Sequence, residues 1–148
     1  MLRSMMIMLT IAMAVSFVPA VAIAGGSAFQ FSLTGGAGAA GDSFTSSALL
    51  DNAGGGDIQG WSFGVCSDPA ALTVDGAASG ADTETAKNGS APDFNQISTF
   101  ADGATQGVVL CFTGCAVIGD TSGFEMLTID YTIAGSRNRR CLRSRHNR

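Results

Sequence analysis

The chain has 148 residues and a formal net charge of -4, with 20 Gly and only 14% charged residues. That length allows one small core and not two, and the composition suits short strands and tight turns better than long helices. All twelve Asp and Glu lie between Asp42 and Asp130, where Lys87 is the only cation, and six Arg crowd the end from Arg137 to Arg148. The net charge is thus the sum of two opposite blocks, and the acidic one excludes nucleic-acid binding by the domain, because phosphates would be repelled.

At the start, Arg3 supplies a positive charge, Met5 to Val18 form an apolar stretch, Pro19 breaks it, and Ala22-Ile23-Ala24 gives the small-x-small pattern of a cleavage site. Residues 1–24 therefore read as a signal-peptide helix removed after Ala24. The apolar run is shorter than the roughly 20 residues needed to span a bilayer, so no membrane association is expected after cleavage. The expected location is extracellular or at the cell surface, where disulfides persist.

Residues 25–135 read as one domain. Ala28 to Leu33 and Ser43 to Leu50 are expected strands, joined by the side-chain-poor run Gly35 to Gly41. The Asp51-Asn52-Ala53-Gly54-Gly55-Gly56 cluster is a turn. From Ile58 to Cys66, Trp61, Phe63 and Val65 alternate with Gly60, Ser62 and Gly64, which puts the large groups on one face of a strand and the small ones on the other. Asp68-Pro69 ends it, Ala71 to Val74 form a short return strand, and Asp75 to Pro92, small and polar, are expected as a long loop. Phe94 to Phe100 and Val108 to Phe112 give two more strands around the Asp102-Gly103 turn. In Met126 to Ile133 the residues Leu127, Ile129, Tyr131 and Ile133 face one way, with Met126, Thr128, Asp130 and Thr132 opposite. About seven short strands and no helical periodicity predict an all-β, two-sheet antiparallel β-sandwich.

Two stretches carry a family resemblance: G-D-S-F-T-S-S-A-L-L-D-N at Gly41 to Asn52 and I-Q-G-W-S-F-G-V-C-S-D-P-A-A-L-T-V at Ile58 to Val74. The pattern resembles bacterial cohesin modules and related carbohydrate-binding-module sandwiches. The resemblance implies a nine-strand, jelly-roll-like sandwich that recognises a partner and transforms no substrate. Cohesins bind dockerins through a sheet face that includes the strand before Asp-Pro, which here presents Gly60, Ser62 and Gly64 where a classical cohesin offers larger polar groups. The implied partner is an extracellular protein module, with polysaccharide as the alternative.

Catalysis finds little to work with. The only histidine is His146, so no His-based triad, nucleophile pair or zinc site can be assembled inside the domain. A glycoside hydrolase needs only two carboxylates, and Asp57, Asp68, Asp93, Asp102, Asp120 and Glu125 are available, yet their spacing brings no two into one cleft. Trp61 and Tyr131 could stack on sugars, but their alternation points them inward. Asp51, Asn52 and Asp57 could offer calcium oxygens, although their spacing is not that of an EF-hand and turn formation explains them equally. No cofactor is expected. Asn88-Gly89-Ser90 fits a glycosylation sequon.

Cys66, Cys111 and Cys115 allow one bridge. Closing the long Cys66 to Cys111 loop would stabilise by roughly 4 kcal/mol, against about 2 kcal/mol for Cys111 to Cys115, and sequence leaves the pairing open. A thiol metal site lacks the usual paired spacing. After Gly135 the composition turns abruptly to a basic tail, 136–148. A shifted reading frame or truncated gene is expected there, with a basic arm for anionic surfaces as the functional alternative.

Overall fold

A computed structural model describes residues 28–135; the expected signal-peptide helix and the basic tail lie outside the described residues. Seven strands form: β1 (Phe29–Leu33), β2 (Ser43–Asn52), β3 (Gly60–Cys66), β4 (Leu72–Ser79), β5 (Phe94–Phe100), β6 (Gly103–Val109) and β7 (Thr121–Ile133). They build two antiparallel sheets, one ordered β1-β2-β7-β4 and the other β3-β6-β5. The chain is an all-β, two-sheet antiparallel sandwich. It has seven strands among the described residues, not the nine that the resemblance implies.

The core lies between the sheets. Leu50, Met126, Leu127 and Ile129 are almost completely buried, and from the smaller sheet Val65 and Ala104 close over them, with Trp61 and Phe63 packed alongside. The alternation of β3 thus points inward as expected. Trp61 meets Phe124 edge-on at 5.8 Å between ring centres, and its Nε1 donates to the buried Gln106 Oε1 at 3.1 Å. Gln106 Nε2 donates to Asn95 Oδ1 at 3.1 Å, and Asn95 Nδ2 to Ser79 Oγ at 2.8 Å. This relay runs from β3 through β6 and β5 to β4, and gives the buried amide a partner at each end.

Three sequence expectations need correction. Met126 is fully buried beside Leu127 and does not face outward with Thr128. The register explains it: Ala48 pairs with Leu127, but Leu49 pairs with Glu125, so Met126 is the extra residue of a β-bulge. A bulge reverses the side-chain phase along a strand, so Phe124 and Met126 point inward on one side of it and Leu127, Ile129 and Tyr131 on the other.

The expected loop from Asp75 to Pro92 is partly ordered structure. β4 continues to Ser79, pairing Ala77 with Ile129, and a single 3₁₀ turn spans Thr83–Thr85. Thr83 is fully buried and its hydroxyl donates to the Met126 carbonyl at 3.0 Å. Backbone pairing with the long central strand β7 makes a strand here that small side chains do not announce.

Likewise β6 begins at Gly103, where Val108 was expected, and ends at Val109; Leu110 still donates to the Gln59 carbonyl and accepts from the Asp93 N–H, while Cys111 and Phe112 belong to the disulfide loop. Its inward row is Ala104, Gln106 and Val108, and the polar glutamine in that row hides the alternation.

The bridge forms between Cys111 and Cys115, with Cα atoms 5.6 Å apart, and among the described residues Cys66 is a free, exposed thiol. Sheet register excludes the longer loop. Cys66 pairs with Gly103 at one end of β6 and Cys111 lies beyond the other end, so about 25 Å of strand separates them at roughly 3.4 Å per residue.

Ile129, central in β7 and without solvent contact, is expected to lose about 2–5 kcal/mol of stability as Ile129→Ala. The exposed Val117 as Val117→Ala should stay within about 0.5 kcal/mol. Urea unfolding followed by Trp61 fluorescence measures both.

Candidate functional site

The two outer faces of the sandwich differ in chemistry. On the four-stranded sheet, hydroxyls and carboxylates bond across the strands: Thr45 to Asp130 at 2.6 Å, Ser47 to Glu125 at 2.6 Å, and Thr132 to Asp75 at 2.6 Å. Ser122 and the Gly123 N–H both donate to Asp51, each at 2.7 Å. This face is acidic and satisfied by its own hydrogen bonds.

The outer face of the three-stranded sheet carries no charged side chain. Its cross-strand rows, fixed by the pairing, run Gly60, Val109, Phe94; then Ser62, Gly107, Gln96; then Gly64, Thr105, Ser98; and finally Cys66, Gly103, Phe100. Gly60, Ser62 and Gly64, the residues expected at a recognition face, are all exposed on it. Their small size leaves β3 flat.

Sequence reading missed the two aromatic ends of this face. Phe94 is 42% exposed and Phe100 is 52% exposed, which makes them candidates for the aromatic anchors that dominate binding energy at interfaces. The Phe94 ring lies over Gly107, where a Cβ would stand 3.7 Å from it. The signal was present in β5, because Ile97 packs on the core and Phe94 and Phe100 each stand three positions away, on the opposite face. Phe112, 71% exposed in the disulfide loop, is held by its N–H donating to Asp93 Oδ2 at 3.0 Å.

The candidate catalytic carboxylates are scattered among structural tasks. Asp93 pairs with Lys87. Asp68 accepts from the Ala70 N–H at 2.8 Å, and Asp120 from the Gly54 N–H at 2.9 Å. Glu125 accepts from Ser47 and from the Ala81 N–H, whereas Asp102 sits in the two-residue turn between β5 and β6. Asp57 lies beside Gly119 at the β3 entry. Hydrogen bonds from Ser122 and Gly123 lower the Asp51 pKa; bonds from Lys87 and Phe112 lower that of Asp93, and bonds from Ser47 and Ala81 lower that of Glu125. A general acid needs the opposite shift.

The oxygens considered for calcium serve the turn. Asn52, 1% exposed, accepts from the Gly55 N–H at 2.8 Å and donates to the carbonyls of Gly56 and Gly119, both at 2.9 Å. Among the described residues no group of three or more His, Cys, Asp or Glu could hold a metal ion. The sequon residue Asn88, with φ of 50°, sits in a tight turn closed by Lys87 and Ser90, and its amide donates to the Cys115 carbonyl at 3.2 Å.

A cavity of about 580 Å³ opens at one end of the sandwich under the Gly35 to Gly38 loop. It contains the Tyr131 ring, stacked on Phe44 at 5.4 Å. Burial pushes the Tyr131 pKa up; the nearby Ser67 hydroxyl opposes this, but it forms no hydrogen bond of ordinary geometry. The Asp68 carboxylate lines the same cavity and accepts from the Ala70 N–H.

No family model, curated protein or solved structure matches this chain.

The lowered carboxyls fix a pH dependence. Their unfolded values are near 3.8 for Asp and 4.5 for Glu, so the unfolded chain takes up protons first on acidification. Their stabilisation is complete above those values and is lost as pH falls through the lower folded ones. Urea midpoints should hold level from neutral pH to about pH 5 and decline below about pH 4. Reduction of Cys111–Cys115 at neutral pH should cost about 2 kcal/mol, read from the same midpoints.

Proposed function

We propose that this chain is a secreted, non-catalytic recognition module, cohesin-like in role, that binds an extracellular protein through the outer face of β3, β6 and β5. The observation that carries the reading is the contrast between faces. A protein with twelve acidic residues keeps one sheet face free of charge, flattens it with Gly60, Gly64, Gly103 and Gly107, and ends it with two exposed phenylalanines. Charge depletion and aromatic anchors mark the centres of protein–protein interfaces. The strand before Asp68-Pro69, which the cohesin resemblance implicates, lies in this face.

Polysaccharide binding has weaker support. The residues best suited to stack on sugar while bonding to it, Trp61 and Tyr131, both face inward, and phenylalanine has no polar atom to contact a hydroxyl.

The full chain, immobilised and exposed to culture fluid of its source, should retain a protein partner. Phe94→Ser and Phe100→Ser should each reduce that retention by about tenfold or more, with the near-ultraviolet circular dichroism unchanged. Retention unaffected by both changes, or binding to insoluble cellulose or chitin in place of protein, would overturn the reading.

A further inference from the structure

The sequence holds four cysteines, Cys66, Cys111, Cys115 and Cys141. Cys111 and Cys115 are bonded to each other, which leaves Cys66 and Cys141. Cys66 is exposed on the rim of the cavity under the Gly35 to Gly38 loop. It is the last residue of β3, and the ladder holds it there: the following Ser67 N–H donates to the Asp102 carbonyl at 2.7 Å.

The chain that leads to Cys141 leaves the sandwich on the same rim. Ile133, the final residue of β7, lines the cavity together with Cys66, and the Ala134 N–H donates to the Ala71 carbonyl at 2.8 Å. From Ala71 the backbone runs back to Cys66 through a tight turn, in which the Ala71 and Leu72 N–H groups both donate to the Asp68 carbonyl at 2.9 Å. A turn of this kind keeps its ends within about 7 Å, so Ala134 and Cys66 lie no more than about 20 Å apart. The seven residues from Ala134 to Cys141 span about 23 Å when extended, and a disulfide bridges roughly 5.5 Å more between Cα atoms. Cys141 therefore reaches Cys66 with slack.

Charge favours the same approach. Asp42, Asp68 and Asp102 are exposed at this end of the sandwich, and none of them is paired with a cation among the described residues, where Lys87 is bound to Asp93. Asp42 stands at the chain exit, its carbonyl accepting from the Ile133 N–H at 2.9 Å. Arg139, Arg140 and Arg143 stand beside Cys141 in sequence, and opposite charge concentrates such a segment at an acidic rim.

We infer that Cys66 and Cys141 form a second disulfide, which holds residues 136–141 across the rim of this cavity. A low-molecular-weight disulfide is the oxidant. One protein thiolate attacks it and expels one small thiolate; the other protein thiolate attacks the protein sulfur of the mixed disulfide and expels the second. Two electrons pass from the protein to the small disulfide, and the two protein protons end on the released thiols. The tether presents Cys141 to Cys66 at an effective concentration on the order of millimolar, about a thousandfold above that of a second copy at micromolar protein, so the bridge closes within one chain. The basic tail then serves this chain's own acidic end. The inference is independent of the proposed recognition role, because the thiol state is read without a partner.

The full chain, equilibrated at micromolar concentration with oxidised and reduced glutathione, blocked with iodoacetamide and digested with trypsin, tests it. Cleavage after Lys87, Arg137, Arg140 and Arg143 puts Cys66, the Cys111–Cys115 pair and Cys141 on three different peptides. A linked Cys66–Cys141 pair is expected, free of label and in a yield that does not change with protein concentration. Cys141→Ser should leave Cys66 to glutathione or the label. Amide exchange at Gly36 to Gly38, whose N–H groups find no backbone acceptor among the described residues, should slow several-fold when the bridge closes. Cys66 and Cys141 both carrying label or glutathione while Cys111–Cys115 stays closed, a chain dimer linked through Cys66, Cys141 joined to Cys111 or Cys115, or an unmodified Cys66 in Cys141→Ser would each overturn the inference. A bridge that leaves exchange at Gly36 to Gly38 unchanged would overturn the placement of the tail. Loss of partner retention in Phe94→Ser with the bridge intact would leave the inference standing.

Discussion

The structure depends on one strand being buried on both sides of an irregularity. β7 is hydrogen-bonded to β2 along one edge and β4 along the other, and its bulge lets the successive residues Met126 and Leu127 both enter the core. Without the extra residue, one half of the strand would present its apolar row to water, because a strand alternates strictly. The bulge thus allows a thirteen-residue strand to serve a core that curves past it. The smaller sheet can then close over Ile129 and Leu127 with Val65 and Ala104.

Closure is made directional by polar atoms. The line from Trp61 through Gln106 and Asn95 to Ser79 fixes which side of the sandwich is shut, since a buried amide with an unpaired end is costly. No such relay crosses at β1 and β3, and there the sheets stay apart over an apolar cleft. The sandwich therefore has a stitched side at β4 and β5 and an open side at β1 and β3.

A second asymmetry separates the outer faces. Carboxylates of the larger sheet are consumed by Ser, Thr and backbone donors, which holds Asp51 and Glu125 in their charged form. The smaller sheet has neither carboxylates nor hydroxyl networks on its exterior, and contact with a partner removes little bound water there. Each candidate catalytic carboxylate is placed by a turn, a strand pair or Lys87.

Sequence alone determined the all-β class, the strands Phe94–Phe100 and the core of β2 and β3, and the inward direction of Trp61, Phe63 and Val65. In each, side-chain size alternates in step with the backbone, so a local pattern carries the information. It also located Gly60, Ser62 and Gly64 on an exposed face. Tertiary structure decided what depends on a partner strand: the burial of Met126 at a bulge, β4 built from Gly76, Ala77 and Ala78, the Gln106 relay within β6, and the Cys111–Cys115 pairing. Those features are set by register against a neighbour distant in sequence, and residues that are small, polar or out of phase leave no local trace of it.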